Sequence, residues 1–266
     1  MSKDSMNLKR IFCVEDRVPP HPIFVVFNFL LVSVAIIALF WFSLSRIGVT
    51  FDFSFITKYQ VRIMDGFWMT VKLSLMSLLL SLTIGVLCAA GQNSKILFLR
   101  YLCNVYVQFI RGTPLIMQIY LFFYIVGTAW GIDNRFWAGV LILSVFEGAY
   151  IAEIIRGSLL SIAESQLEAA KAVGFTQKQT LTTVVLPQLV ERTLPALTGQ
   201  FASIIKDSSL LSMIAVIELM QTMREISATN FKLFECYIFL GALYLCLTLP
   251  ISLVSKKLER RFRYEN

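Results

Sequence analysis

Glu147, Glu153, Lys206 and Asp207 interrupt stretches that are otherwise apolar, with Ser208 following directly and Tyr150 one turn beyond Glu147. A charge inside such a stretch is costly in lipid and turns toward a bundle interior or a water-filled path. The chemistry on offer is recognition of a zwitterion. Glu147 is an acceptor for an ammonium, and Lys206, or backbone freed near Ser208, is a donor for a carboxylate; packing or protonation explains Glu147 equally well. Lys206 and Asp207 are adjacent, so on a helix they project about 100° apart and need separate partners. Glu153 and Arg156 stand three apart on one helix face and read as a structural ion pair. Arg111-Gly112-Thr113-Pro114 reads as a kink or gate, because Pro114 removes one backbone donor, and Arg111 anchors that geometry.

No catalytic constellation accompanies these residues. His21 is the only histidine, and Cys13, Cys88, Cys103, Cys236 and Cys246 are scattered without ligand spacing, so neither a metal centre nor a disulfide framework is expected. A membrane-embedded enzyme is therefore disfavoured.

The elements that must position these groups are membrane helices. Of 266 residues 57% are hydrophobic and only 15% charged, and the mean hydropathy is +0.71; the apolar residues fall in long runs, which suit lipid better than water. Residues 1–22 form a polar, basic tail, and 23–43 an uncleaved first span, since no small-x-small cleavage pattern follows it. Residues 44–65 are mixed and interfacial. Further spans are expected at about 66–90, 102–126 with its break at 111–114, 136–155, 187–217 with a polar interruption at 206–209, and 234–254. The fold class is all-α integral membrane with six transmembrane helices. No repeat or soluble domain is visible. With the N-terminus inside, the inner segments hold 15 Lys or Arg and the outer ones 7, which places both termini in the cytoplasm. In a membrane chain this basic excess calls for no nucleic acid.

Residues 161–187 are too polar to span. Ser165 with Glu168, or Ser161 with Glu164 one turn earlier, fits a capping box, and Leu167–Val173 is a run of helix formers that Gly174 can stop in the left-handed conformation. Thr176 with Gln179 supplies a second box, and Pro187 closes the unit. The expectation is a short helix, a tight turn and a second short helix on the cytoplasmic face. Either it is a well-capped surface loop, or Ala169 and Ala170 keep one face slim enough to enter a partner's groove, with Glu168 at the rim.

This stretch resembles the EAA loop of permease subunits in ATP-binding-cassette importers, in Glu168-Ala169-Ala170, Gly174 and Val184-Val185-Leu186-Pro187; Val184 stands where the family has Ile. Thr70–Ser74, Ile110–Leu115, Ala149–Ile154 and Lys206–Leu210 are similar to elements of the polar amino acid branch, in matching order over about residues 60–263. Gln108 replaces a frequent Glu, and Glu147 a small polar residue.

The resemblance implies a five-helix importer core at 60–257, with 23–43 as an extra N-terminal helix, a coupling loop at about 161–187, and a cytoplasmic tail at 258–266. It implies coupling through Glu168, Ala169, Ala170, Gly174, Leu186 and Pro187. It also implies a cytoplasmic ATPase dimer, an extracytoplasmic amino-acid-binding protein, a second copy or related permease, and residence in a bacterial inner membrane. The chain lacks a phosphate loop, so no cofactor is expected within it; ATP and Mg belong to the ATPase. A stand-alone carrier using Glu147, Lys206 and Asp207 as a relay, or the same importer type with another cargo, are the alternatives.

Overall fold

In the computed structural model, residues 21–48 and 51–263 are described. Expectations for residues 1–20, including the basic tail and Cys13, lie outside them.

The chain divides into two units, at 1–52 and 53–266. The first contributes helix α1, Pro22–Ile47, which opens on Pro22, where a missing N–H costs nothing. Gly48 ends it at φ +68. Its 26 residues are nearly all apolar and mostly exposed, as a lipid-facing helix requires.

In the second unit, the short α2, Phe55–Lys58, leads into α3, Gln60–Gln92. Then come α4, Leu97–Gly112, and α5, Leu115–Tyr120, which continues through π turns at Leu121–Gly127. Helix α6 spans Arg135–Leu160, capped by Asn134, whose side chain accepts from the Phe136 and Trp137 amides. The short α7, Glu164–Ala172, and α8, Gln177–Gln179, follow. From α8 the chain passes through π turns at Thr180–Val185 into α9, Leu186–Asp207. A 3-10 segment, Ser208–Ile214, leads to α10, Leu219–Asn230, and α11, Leu233–Arg263.

The long pair α3 and α6 forms the centre. Helix α3 buries Gly66, Thr70, Ser74, Ser77, Ser81, Gly85 and Cys88, a spacing of three and four that lines small residues along one face. Without a hydrophobic force between lipid-solvated helices, close backbone approach and short polar bonds hold them together. The approach is reciprocal. A Cβ added to Gly85 would fall 2.4 Å from Ile151 Cγ2, and one added to Gly148 would fall 2.7 Å from Ile84 Cγ2. Ser144 donates to the carbonyls of Val140 at 2.6 Å and Ser77 at 3.3 Å, and Tyr106 ties α4 to α6 by donating to Val145 O at 2.6 Å. Leu73, Val140, Leu143, Ile204 and Leu211, all fully buried, fill the core around this crossing.

Helices α1, α3, α6 and α11 are long and apolar enough to cross a membrane, and a fifth span is gained if α4 and the Leu115–Gly127 helix count as one. The chain bends by 113° between these two, so the span expected at 102–126 is a sharp corner, not an interrupted rod. Helix α9 carries Glu191, Arg192, Lys206 and Asp207 and is not among the apolar candidates. The tail expected at 258–266 is helical as far as Arg263, because α11 runs on unbroken.

Candidate coupling surface and buried polar cluster

The polar stretch folds as two arms. Helix α7 begins at Glu164 with Ala163 as its unaided cap, so neither serine forms the expected box. Ser165 lies within the first turn. Ser161 is engaged elsewhere: its hydroxyl donates to Ser158 O at 2.7 Å, and its carbonyl and hydroxyl accept from Arg192 at 2.5 and 2.7 Å. At the other end, Gly174 at φ +85 closes a two-bond stop, with Gly174 N donating to Lys171 O and Phe175 N to Ala170 O, each at 3.0 Å; the left-handed turn suits a residue without Cβ. Thr176 and Gln179 form the reciprocal box. Pro187 does not close the second arm. It sits at the opening of α9, where the preceding π turns absorb the backbone bond it cannot make.

Within this unit Ala170 is buried at 5% exposure, whereas Glu168, Ala169, Gly174, Leu186 and Pro187 are exposed. Val173 is 76% exposed and Leu167, Phe175 and Leu181 are also open to solvent, an apolar set on an otherwise polar surface. A groove of about 660 Å³ runs between the arms past Lys171, Phe175, Thr180 and Leu181. Two bonds tie this region to α9: Gln188 donates to Gln166 within α7, and Arg192 holds Ser161, the residue that closes α6 just before the arm. Both pins escaped the sequence reading, since nothing in their local pattern marks them.

Helix α9 carries this attachment to the bundle interior. It is 22 residues long, about 33 Å at 1.5 Å per residue. Toward its far end Gln200 donates to Glu147 Oε2, and the Asp207 carboxyl lies near enough to Glu147 for the two to interact electrostatically. Glu147 is fully buried, and its Oε1 has no partner. Lys206 is exposed. Ser208 is fully buried, with its hydroxyl spent on Ile205 O at 2.7 Å. Tyr150 turns away from this group: its ring packs on Phe146 at 5.1 Å, and the Arg111 guanidinium lies 5.5 Å from it. Glu147 and Asp207 thus come together, and Tyr150 and Lys206 stand apart from them.

Glu153 sits between two guanidiniums, accepting from Arg156 on its own helix and facing Arg111 Nη1 at 3.2 Å. The Arg111–Pro114 corner holds Thr113 and Pro114 extended, at ψ 149 and 139. Gln118, fully buried, staples it by donating to Ile110 O at 2.8 Å and Thr113 Oγ1 at 2.7 Å.

A further buried acid, Glu218, caps α10, accepting from the Met220 and Gln221 amides at 2.8 and 2.7 Å and from the Tyr244 hydroxyl at 3.0 Å. Burial pushes its carboxyl up to about 7 against the pull of these donors. In sequence it sits in a polar segment that reads as a loop, so its burial was not legible.

Residues 81–264 match a family described as binding-protein-dependent transport system inner membrane component. The chain is 35% identical over 198 residues to the probable glutamine ABC transporter permease protein GlnM of Bacillus subtilis, covering 74% of this chain and 92% of that one. It is 36% identical over 197 residues to the L-cystine transport system permease protein TcyB of the same organism, covering 74% and 84%. Among solved structures, the crystal structure of an amino acid ABC transporter with histidines superposes with a TM-score of 0.74 at 32% identity, covering 80% of this chain and all of that one.

Proposed function

Because the chain belongs to the family of binding-protein-dependent transport system inner membrane components and is a permease of the amino acid ABC importer type, we propose that the α7–α8 pair receives the stroke of a separate ATPase dimer. Alternating access of the bundle then moves a polar amino acid inward. The observation that carries this reading is mechanical. An exposed helical pair is pinned to α9 by Gln188 on Gln166, with its root at Ser161 held by Arg192, and farther along α9 Gln200 donates to Glu147, with Asp207 nearby. A rigid-body push at α7 therefore displaces the partners of a buried acid roughly 10–30 Å along α9, at about 1.5 Å per residue.

In this reading the two arms face the cytoplasm, both termini lie on that side, and six helices, α9 included, cross the inner membrane. ATP and Mg stay with the ATPase, a binding protein delivers cargo from outside, and a second copy or related permease completes the channel. Glu168 and Ala169 contact the ATPase. Ala170, being buried, supports the unit from within.

The test is reconstitution with the ATPase and binding protein in liposomes. Gly174→Asp is expected to leave assembly and ATP hydrolysis in place while transport falls at least tenfold. Normal transport by a stably inserted Gly174→Asp protein refutes the assignment.

Cargo is a finer matter, since relatives at 35% and 36% identity are named for glutamine and cystine transport. The buried carboxylates favour a cationic amino acid, because Glu147 Oε1 lacks a donor that an ammonium or guanidinium supplies. Competition uptake with Glu147→Gln reads this directly: preference for arginine or lysine over neutral competitors is expected to fall, and an unchanged preference rejects it.

A further inference from the structure

A second polar site lies away from the Glu147 cluster, in a cleft of about 570 Å³ lined by α3, α4 and α6 near the end of the bundle that leads into α7. Arg100, Arg111 and Arg156 line it with a single carboxylate, Glu153. Glu153 is shared by Arg111 and Arg156, so positive charge is in excess, and among the described residues Arg100 makes no ion pair. At its floor is Gln92, 7% exposed, whose Nε2 donates to Asn104 at 3.1 Å while its Oε1 accepts from nothing. A buried acceptor left unmatched in a cleft rich in guanidiniums needs a ligand that brings a donor as well as an anion. A simple anion satisfies only half of that set.

We propose that this cleft binds a free α-amino acid, its carboxylate held by Arg100 with Arg111 and its ammonium by Gln92 Oε1 and Glu153. Phosphatidylethanolamine offers the same pair of groups in its headgroup. The lining favours a water-soluble ligand, because only Val107 and Leu160 are apolar there and an acyl chain has no track to follow. The site's consequence rests on the proposed importer function: Leu160 borders the cleft four residues before α7 begins, so accumulated amino acid at this end restrains the arm that takes the ATPase stroke.

The test needs only the purified full chain in detergent, so its failure is separable from failure of the coupling reading. Equilibrium dialysis with radiolabelled L-arginine and L-glutamine is expected to show saturable binding that weakens about ten- to a hundredfold in Arg100→Ala and in Gln92→Leu. Deamino and decarboxylated analogues are expected to compete poorly. Arg100 is exposed and its side chain makes no hydrogen bond or ion pair among the described residues, so its variant remains a fair test if Gln92→Leu destabilises the protein. Binding unchanged in Arg100→Ala overturns the proposal, as does absence of saturable binding or equal competition by acetate. Loss in Glu147→Gln with retention in Arg100→Ala moves the ligand to the buried cluster and also overturns it. Repetition in nanodiscs with and without phosphatidylethanolamine separates the two sources: displacement of the amino acid by that lipid assigns the cleft to a headgroup instead.

Discussion

Gly148→Ala sets two physical effects against each other at the centre of the bundle. Alanine is a better helix former than glycine by about 1 kcal/mol, so propensity alone stabilises α6. The added methyl, however, falls 2.7 Å from Ile84 Cγ2, 3.0 Å from Ile84 Cβ and 3.1 Å from the Tyr106 hydroxyl. Carbon atoms prefer about 3.5–4.0 Å, so α3 and α6 must part by roughly 0.5–1 Å or Ile84 must leave its rotamer. Overpacking of this kind costs about 1–3 kcal/mol, and the Tyr106 bond to Val145 O at 2.6 Å is disturbed with it. The net expectation is destabilisation of about 1–2 kcal/mol, a fall in melting temperature of roughly 2–8 °C for a chain of this size. Melting of the purified protein in detergent measures it. Ile84→Ala removes the nearest atom, so the double variant is expected to recover about 1 kcal/mol relative to the sum of the singles. A Gly148→Ala protein that melts higher than the native one, or a double variant that is merely additive, refutes the tight crossing.

Other consequences follow from single contacts. Arg192→Ala together with Gln188→Ala frees α7 and its root at Ser161 from α9, and trypsin is expected to cut at Lys171 or Lys178 several-fold faster, with unchanged cleavage rates counting against the pins. Gln118→Ala leaves Ile110 O and Thr113 Oγ1 without their buried donor at the α4–α5 corner, a loss of about 1–3 kcal/mol that detergent melting reads. Gly174→Ala meets no atom within 4 Å, so its cost is the left-handed strain of about 1–2 kcal/mol; the melting temperature is expected to fall by a few degrees at most while coupling falls, and intact coupling contradicts the turn's role. Glu218, raised to about 7 by burial, holds its proton in the folded state between its ordinary value of 4.5 and about 7. Its contribution is therefore fullest below pH 4.5 and declines as pH rises through that window. Glu218→Gln is expected to flatten that part of the stability profile, and an identical profile in the variant dismisses it.

The apolar runs and the grammar of residues 161–187 were readable in one dimension because each depends on neighbours in the chain. Helix formers before Gly174, the Thr176–Gln179 box and the Glu153–Arg156 spacing are all interactions within four residues. Where a local rule failed, a distant group had intervened. Ser161 is claimed by Arg192, 31 positions away, and the helix is left to start without a side-chain cap. Pro187 reads as a terminator, yet wider turns before it let α9 continue.

The sequence by itself determined that the chain is a helical membrane protein carrying a polar arm with a glycine stop at Gly174 and a capping box at Thr176–Gln179, since hydropathy and these caps are properties of short windows. The tertiary structure alone decided which polar groups meet: Gln200 with Glu147 across 53 positions, Thr70 with the Leu219 amide across 149, and Gln92 with an empty acceptor facing a cleft. In a medium that cannot hydrate them, buried polar groups take whatever partner the packing brings, and packing is set by where small residues let two helices touch.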